Sequence, residues 1–347
     1  MSLFKASLPI ALFIVVCGAA TAPQEPHFNA QSNVVLVPTL VRDANGNLVY
    51  GLQATDFVIE DDGVEQKSYL DEAAQAEPVS LIIAVQCGRR ARREFDRMRG
   101  LPSMLEPVLS QPDTETALVF FDSKLNLVRD FTNKSDLIDA DLKTLESGDS
   151  GAAILDAVAY SVKLLNQQPE GRQRVLLLIS ENRDHGSHFA KLDDVVKLIG
   201  VANVAVYALP FSPSLSQVLD TERGSNRDET FWGAPPDLQG AFLMALAAMK
   251  KNVTGAIASM SGGEYELFAS RKSFETKMNS FANHVHNRYL LSFEPKSPHP
   301  GLHQIRVRLR DPARSERVLF RGNYIGLEGL MSEYRAVMAC GDCGVFL

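Results

Sequence analysis

Cysteine is scarce in this chain, long basic runs are missing, and one apolar stretch alone approaches the length needed to cross a membrane. Four cysteines in 347 residues are too few for a fold stapled mainly by disulfides. Cys17 lies in the N-terminal segment, and Cys87 stands alone. Cys340 and Cys343 form the one close pair, with no second pair to complete a zinc site. In an exported protein a local disulfide between Cys340 and Cys343 is the plain expectation, with a redox or metal role as the alternative. The formal net charge is −7, and the basic pairs Arg89-Arg90 and Arg92-Arg93 are local, so a phosphate backbone is not the expected partner. A same-face row of Arg306, Arg308 and Arg310 reads as the solvated side of a strand. There is no Gly-x-Ser-x-Gly elbow and no Walker loop. The adjacent carboxylates Asp61-Asp62 and Asp193-Asp194 read as solvated surface, and so do His284 and His286 near a helix end. No catalytic residue and no cofactor is expected.

What is present begins with an export signal over 1–22. It has Lys5, an apolar core from Leu8 to Val16, and small residues at Gly18, Ala19, Ala20 and Ala22. Nine apolar positions are short of the roughly 20 residues of a spanning helix. The rest has ordinary globular composition, 45% hydrophobic and 22% charged.

Residues 28–75 read as a β segment: a strand at Val34–Val41, an Asn45-Gly46 turn, a strand at Phe57–Ile59 and a turn at Asp62-Gly63. The pattern changes near residue 76. Leu81–Val85, Thr116–Phe121, Val175–Ile179 and Val204–Ala208 are continuous apolar runs, as in strands buried on both faces. Helical patterns alternate with them at Arg89–Leu109, Ser135–Leu145, Ala152–Leu165 and Leu192–Ile199. This alternation predicts a Rossmann-like α/β domain over 76–287 with a mostly parallel central sheet. Leu125–Val128 reads as a hairpin extension. A polar stretch at 212–238 holds the lone Trp232 and reads as a loop or insertion. Helices are expected at Leu243–Lys251 and Ser273–His286. A second β segment at 288–325 carries strands at Tyr289–Phe293, Gln304–Leu309 and Arg317–Phe320. The middle one alternates apolar and polar residues, so one face should meet water. The N- and C-terminal β segments are expected to meet and form a small β unit. The tail at 326–347 has a modest helical pattern.

Several stretches in this order resemble the von Willebrand factor A family, in particular its acidobacterial-type VWFA-related domain. They are Val41-Arg-Asp-Ala-Asn-Gly-Asn-Leu-Val49, Gly51–Phe57, Glu60-Asp-Asp-Gly63, Glu77–Val85, Gly151–Ala157, Val175–Ser187, Met260-Ser-Gly-Gly-Glu264 and Arg288–Ser292. The resemblance spans about residues 30–325. It implies a bacterial, exported, non-enzymatic protein-binding module of adhesion type. It also implies a metal-ion-dependent adhesion site on the top rim of the sheet, built from an Asp-x-Ser-x-Ser loop, a threonine and a second aspartate. Such a site suits magnesium, which takes hard oxygen ligands.

This chain departs from that pattern at each ligand position. Gln86, Gly88 and Arg90 stand where the loop residues would be, Ala152 replaces the threonine, and Glu181 replaces the second aspartate. A register two residues earlier offers Ala84, Gln86 and Gly88, no better a set. No metal is expected there. The candidate binding residues are Arg89, Arg90, Glu181, Asp184 and His185. Two readings of Arg90 stay open. Its guanidinium takes a partner carboxylate where the metal would have sat, or it pairs with Glu181. A replacement metal site at Glu181, Asp184 and His185 is the alternative to a polar loop there. A scaffold whose top face is inert, with contacts through 212–238 or the β unit, is the competing function. The partner itself is an unidentified protein.

Overall fold

The structure is a computed structural model that describes residues 34–71, 78–98, 100–111, 113–211, 252–299, 301–311 and 316–326. All of them belong to one compact unit, Asn33–Leu347. The expected export signal, the 212–238 stretch, the helix expected at 243–251, the tail helix, Cys340 and Cys343 lie outside the described residues.

The centre is a five-stranded sheet of β5 (Val79–Gln86), β6 (Thr114–Phe121), β7 (Leu125–Thr132), β8 (Gln173–Ser180) and β9 (Val204–Pro210). The spatial order is β7-β6-β5-β8-β9. All pairings are parallel except β6 with β7, which form the expected hairpin. Every residue of β5 is buried, which explains its unbroken apolar run. Its side chains alternate between two cores. Leu81, Ile83 and Val85 pack with α1 (Leu101–Leu109) and α6 (Arg271–His286), through Leu105, Phe274 and Met278. Ile82 and Ala84 pack with α3 (Ile154–Asn166), α4 (Leu192–Ala202) and α5 (Val253–Ser261), through Val158, Ile199 and Ile257. Each fully buried Leu or Ile of this kind contributes roughly 1.5–3 kcal/mol. α2 is Ser135–Leu142.

The single helix expected over Arg89–Leu109 is divided. A 3-10 turn at Ala91–Glu94 is separated from α1 by Gly100, whose φ of 96° lies in the left-handed region. Gly100 accepts that conformation without a Cβ penalty, and Pro102 suits the first turn of the new helix.

The flanking β segments come together as two antiparallel sheets. One has the order β12 (Arg317–Phe320), β1 (Val35–Arg42), β10 (Tyr289–Phe293), β4 (Tyr69–Asp71). The other has the order β13 (Asn323–Gly326), β11 (Gly301–Leu309), β2 (Phe57–Asp61), β3 (Val64–Gln66). Val37, Leu291 and Phe293 from the first share a core with Phe57, Ile59, Ile305 and Val307 from the second. So β1 and β11 pack in one unit through opposite sheets. As expected, β11 alternates: His303, Ile305, Val307 and Leu309 are buried, and Gln304, Arg306, Arg308 and Arg310 are exposed. Arg308 and Arg310 pair with Glu60 and Glu65 at 3.3 Å each.

Three arginines, Arg288 and Arg321 buried and Arg42 partly buried, join the β sheets to the α/β part. Arg288 donates to the Tyr207 hydroxyl at 2.7 Å and to the Gly262 carbonyl at 2.6 Å. Arg42 pairs with Glu264 and Glu266. Arg321 donates to the carbonyls of Gly200 and Asn323 and to the side chain of Asn203. Two surface expectations are corrected here. His284 is buried, with Nδ1 2.8 Å from a Glu264 carboxylate oxygen. Asp61 is buried as well, with its carboxylate oxygens against His303 Nδ1 and the Tyr324 hydroxyl.

Candidate functional site

The chain leaves β5 towards β6 on one side and enters β8 on the other, so the strand order reverses between β5 and β8. Open α/β sheets bind ligands in the crevice at the carboxyl ends of strands flanking such a reversal. Gln86 ends β5 there, and Glu181 follows β8 directly.

Gln86 has no solvent exposure and Glu181 is 4% exposed. They are joined twice. Gln86 Nε2 donates to Glu181 Oε1 at 2.9 Å, and the Glu181 backbone N–H donates to Gln86 Oε1 at 2.8 Å. Both ends of the amide are used. An aspartate at 86 would set two buried carboxylates against each other and require a cation between them. A neutral amide requires none.

Gly88 is fixed by close approach. A Cβ there would lie 2.5 Å from the Gly151 carbonyl oxygen and 3.3 Å from that of Asp149. No serine fits against that backbone. Ala152 is fully buried and offers no hydroxyl, while its carbonyl accepts from the His185 N–H at 3.1 Å. Between them, Cys87 is partly buried and unpaired. Burial, with Asp122 and Asp149 nearby, pushes its thiol up to about 11.

Arg90 Nη1 lies 3.6 Å from Glu181 Oε2, with the arginine side chain 59% exposed. His185 Nε2 lies 3.3 Å from Glu181 Oε1. Arg89 is exposed, and its backbone N–H donates to the Asp149 carbonyl. Asp184 Oδ1 accepts from the Leu155 N–H at 3.1 Å and the Ser187 hydroxyl at 2.6 Å, so it caps the start of α3. Asp156, in the first turn of α3, accepts from the N–H groups of His188, Phe189 and Ala190. These carboxylates hold the 181–190 loop against the helix. Arg90, Glu181, Arg183, Asp184 and His185 surround an open rim cavity of about 450 Å³ with Ser150 and Gly151.

Two rim acids escaped the sequence reading. Asp122 follows β6, and Asp149 lies in the 143–153 loop. Asp149 accepts from the N–H groups of Ser123 and Gly151 and from the Ser123 hydroxyl. That hydroxyl, with the two N–H groups, holds its carboxyl below the usual range. Asp122 accepts from the N–H groups of Asp149 and Lys124. An acid directly after the Phe120-Phe121 end of an apolar run was the signal available, since it occupies the same strand-end address as Gln86 and Glu181. Among the described residues, no helix is long and apolar enough to cross a membrane.

No family model and no curated protein matches the chain. Solved structures similar to it include the PilB minor pilin from Streptococcus sanguinis, at 10% identity and TM-score 0.41, covering 60% of this chain. The chain spans 61% of that pilin. The conserved hypothetical protein BatB from Bacteroides thetaiotaomicron is 13% identical at TM-score 0.37, covering 59% of this chain and 99% of its own. The vWF domain of the type V pili tip protein Mfa5 from Porphyromonas gingivalis is 8% identical at TM-score 0.39, covering 60% and 95%.

Proposed function

We propose that this chain is an exported, non-enzymatic protein-binding module whose rim engages its partner without a bound metal. The observation that supports this is the double hydrogen bond between Gln86 and Glu181. It satisfies the buried polar atoms at the strand ends internally, where a metal site would gather several unpaired oxygen ligands. The neighbouring acids Asp122, Asp149 and Asp184 accept from the backbone N–H groups of Asp149, Gly151 and Leu155 in turn. The partner-facing groups are then Arg89, Arg90, Arg183 and His185, which are exposed. Arg90 is held only at 3.6 Å from Glu181, so its guanidinium can exchange that contact for a partner carboxylate. A non-enzymatic reading agrees with Ser180, whose hydroxyl donates to the Glu181 carbonyl and is fully buried.

The test is a photo-crosslinking residue at Arg183 in the full chain, used in its own cells with and without chelator. One protein partner should be captured under both conditions. A position at the opposite end of the sheet, Glu170, should capture nothing. Equal capture at both positions, or loss of capture on chelation, would overturn the reading. Calorimetric titration with magnesium and manganese should give no heat. Stoichiometric binding that is lost on replacing Glu181 would restore metal-dependent adhesion.

A further inference from the structure

The β2–β3 hairpin and the approach to β11 bring four side chains together at one place in the β unit. Asp62 and Gly63 form the turn, with φ of 48° and 81°. Such a two-residue turn needs positive φ at both positions. It leaves Asp61 and Asp62 adjacent and both directed at β11. His303 has 1% side-chain exposure. Its Nε2 lies 2.8 Å from the carbonyl oxygen of His299, which can only accept, so Nε2 carries a proton and donates. The other nitrogen, Nδ1, lies 3.1 Å from Asp61 Oδ1 and 3.0 Å from Asp62 Oδ2. His299 stacks on His303 at 3.9 Å between ring centroids and places Nε2 3.4 Å from Asp62 Oδ2. The ligand atoms of Asp62, His299 and His303 all lie within 4.8 Å of one another.

This is a convergence of electron pairs on one spot. With Nε2 committed, Nδ1 of a neutral ring presents a lone pair to two carboxylate oxygens. Positive charge between them, as a proton or a cation, is required. A tetrahedral ion with ligands at about 2.0–2.1 Å separates them by about 3.3–3.4 Å along each edge. Two of the three separations, 3.0 Å from His303 Nδ1 and 3.4 Å from His299 Nε2 to Asp62 Oδ2, come close to that edge, and the third lies within 4.8 Å. The outer contacts are those that orient metal ligands. The His303 Nε2–H is anchored on a carbonyl. The Tyr324 hydroxyl donates to Asp61 Oδ2 at 2.9 Å, and the Gln304 N–H donates to Asp62 Oδ1 at 2.9 Å. The His299 side chain is 55% exposed and that of Asp62 26%, so an ion reaches the spot from solvent.

We infer that Asp62, His299 and His303, with Asp61 beside them, form a zinc-type divalent metal site that fastens the β2–β3 turn to β11. Two imidazole nitrogens favour zinc over magnesium or calcium. This site is separate from the rim and does not depend on the reading given for it.

The test uses the full mature chain in a C340S/C343S background, so that the tail cysteines cannot supply ligands. After chelator treatment, zinc should bind one to one by calorimetry and raise Tm, and magnesium and calcium should not compete. His299→Ala, at an exposed position, should fold and lose measurable one-to-one binding. Asp62→Asn should do the same, and Tyr324→Phe should weaken binding by about tenfold. A rim change, Arg90→Ala, should leave zinc binding intact. No zinc binding, or unchanged binding in both His299→Ala and Asp62→Asn, would overturn the proposal.

Discussion

Gln86 and Glu181 are 95 residues apart in sequence, yet the side-chain amide of one spans the carboxylate and the backbone N–H of the other. Their pairing bolts the ends of β5 and β8 together where the strand order reverses.

Removing the amide should therefore be costly. Gln86→Ala leaves the buried Glu181 N–H without its acceptor and Glu181 Oε1 with the longer 3.3 Å contact to His185 in place of the amide, at about 1–3 kcal/mol for the unmet group. Urea unfolding at neutral pH should show the midpoint falling with an unchanged slope. A loss under 0.5 kcal/mol, roughly the size of ordinary surface changes, would mean that the clasp adds nothing.

Gln86→Asp has a different signature. Two carboxylates then share one buried place, and one of them is pushed to a higher pKa. The native state holds an extra proton that the unfolded state releases, so stability should fall as pH rises through neutrality. Melting curves from pH 5 to 8 should show this slope in the variant and not in the wild type.

Gly88→Ser tests the close approach of the β5 loop to residues 149–151. Its Cβ would meet the Gly151 carbonyl at 2.5 Å. Overpacking of this kind costs about 1–3 kcal/mol. Neutral substitution, read by thermal melting, would show that the loop gives way.

His284 should produce an acid transition. Burial and the nearby Arg42 and Arg288 lower its pKa from the ordinary 6.5 to about 4. Glu264 and Glu266 face the same cluster. The unfolded chain takes up a proton near pH 6.5 and the native chain only near about 4, so stability should drop as pH falls between these values. In His284→Gln that part of the pH dependence should be absent. Chemical unfolding at pH 7, 5.5 and 4.5 measures it.

Cys87, with its thiol pushed up to about 11, is almost wholly protonated at pH 8. The thiolate is the nucleophile, so iodoacetamide should label it slowly in the native chain and quickly in urea. Site-resolved mass spectrometry separates it from the tail cysteines, and fast native labelling would count against the buried setting.

Much of the fold was legible because its causes are local. Leu81–Val85 is apolar throughout because helices cover both faces of β5. The alternation of Gln304–Leu309 is visible because β11 has one wet face. Elements without such a pattern were missed. α5 is rich in small residues that need little periodicity to pack, and β13 is only four residues long. At the candidate site, the replaced residues Gln86, Gly88, Arg90, Ala152 and Glu181 were named from sequence, while Asp122 and Asp149 were not.

The sequence by itself determined which segments must leave water and which residue types stand at the strand ends. It could not determine what the polar side chains would touch. Asp61 and His303 lie 242 residues apart, as do Arg42 and His284. A polar group's burial, charge and use depend on the partners that surround it, and here those partners were supplied by the packing of the two β segments against each other and against the central sheet.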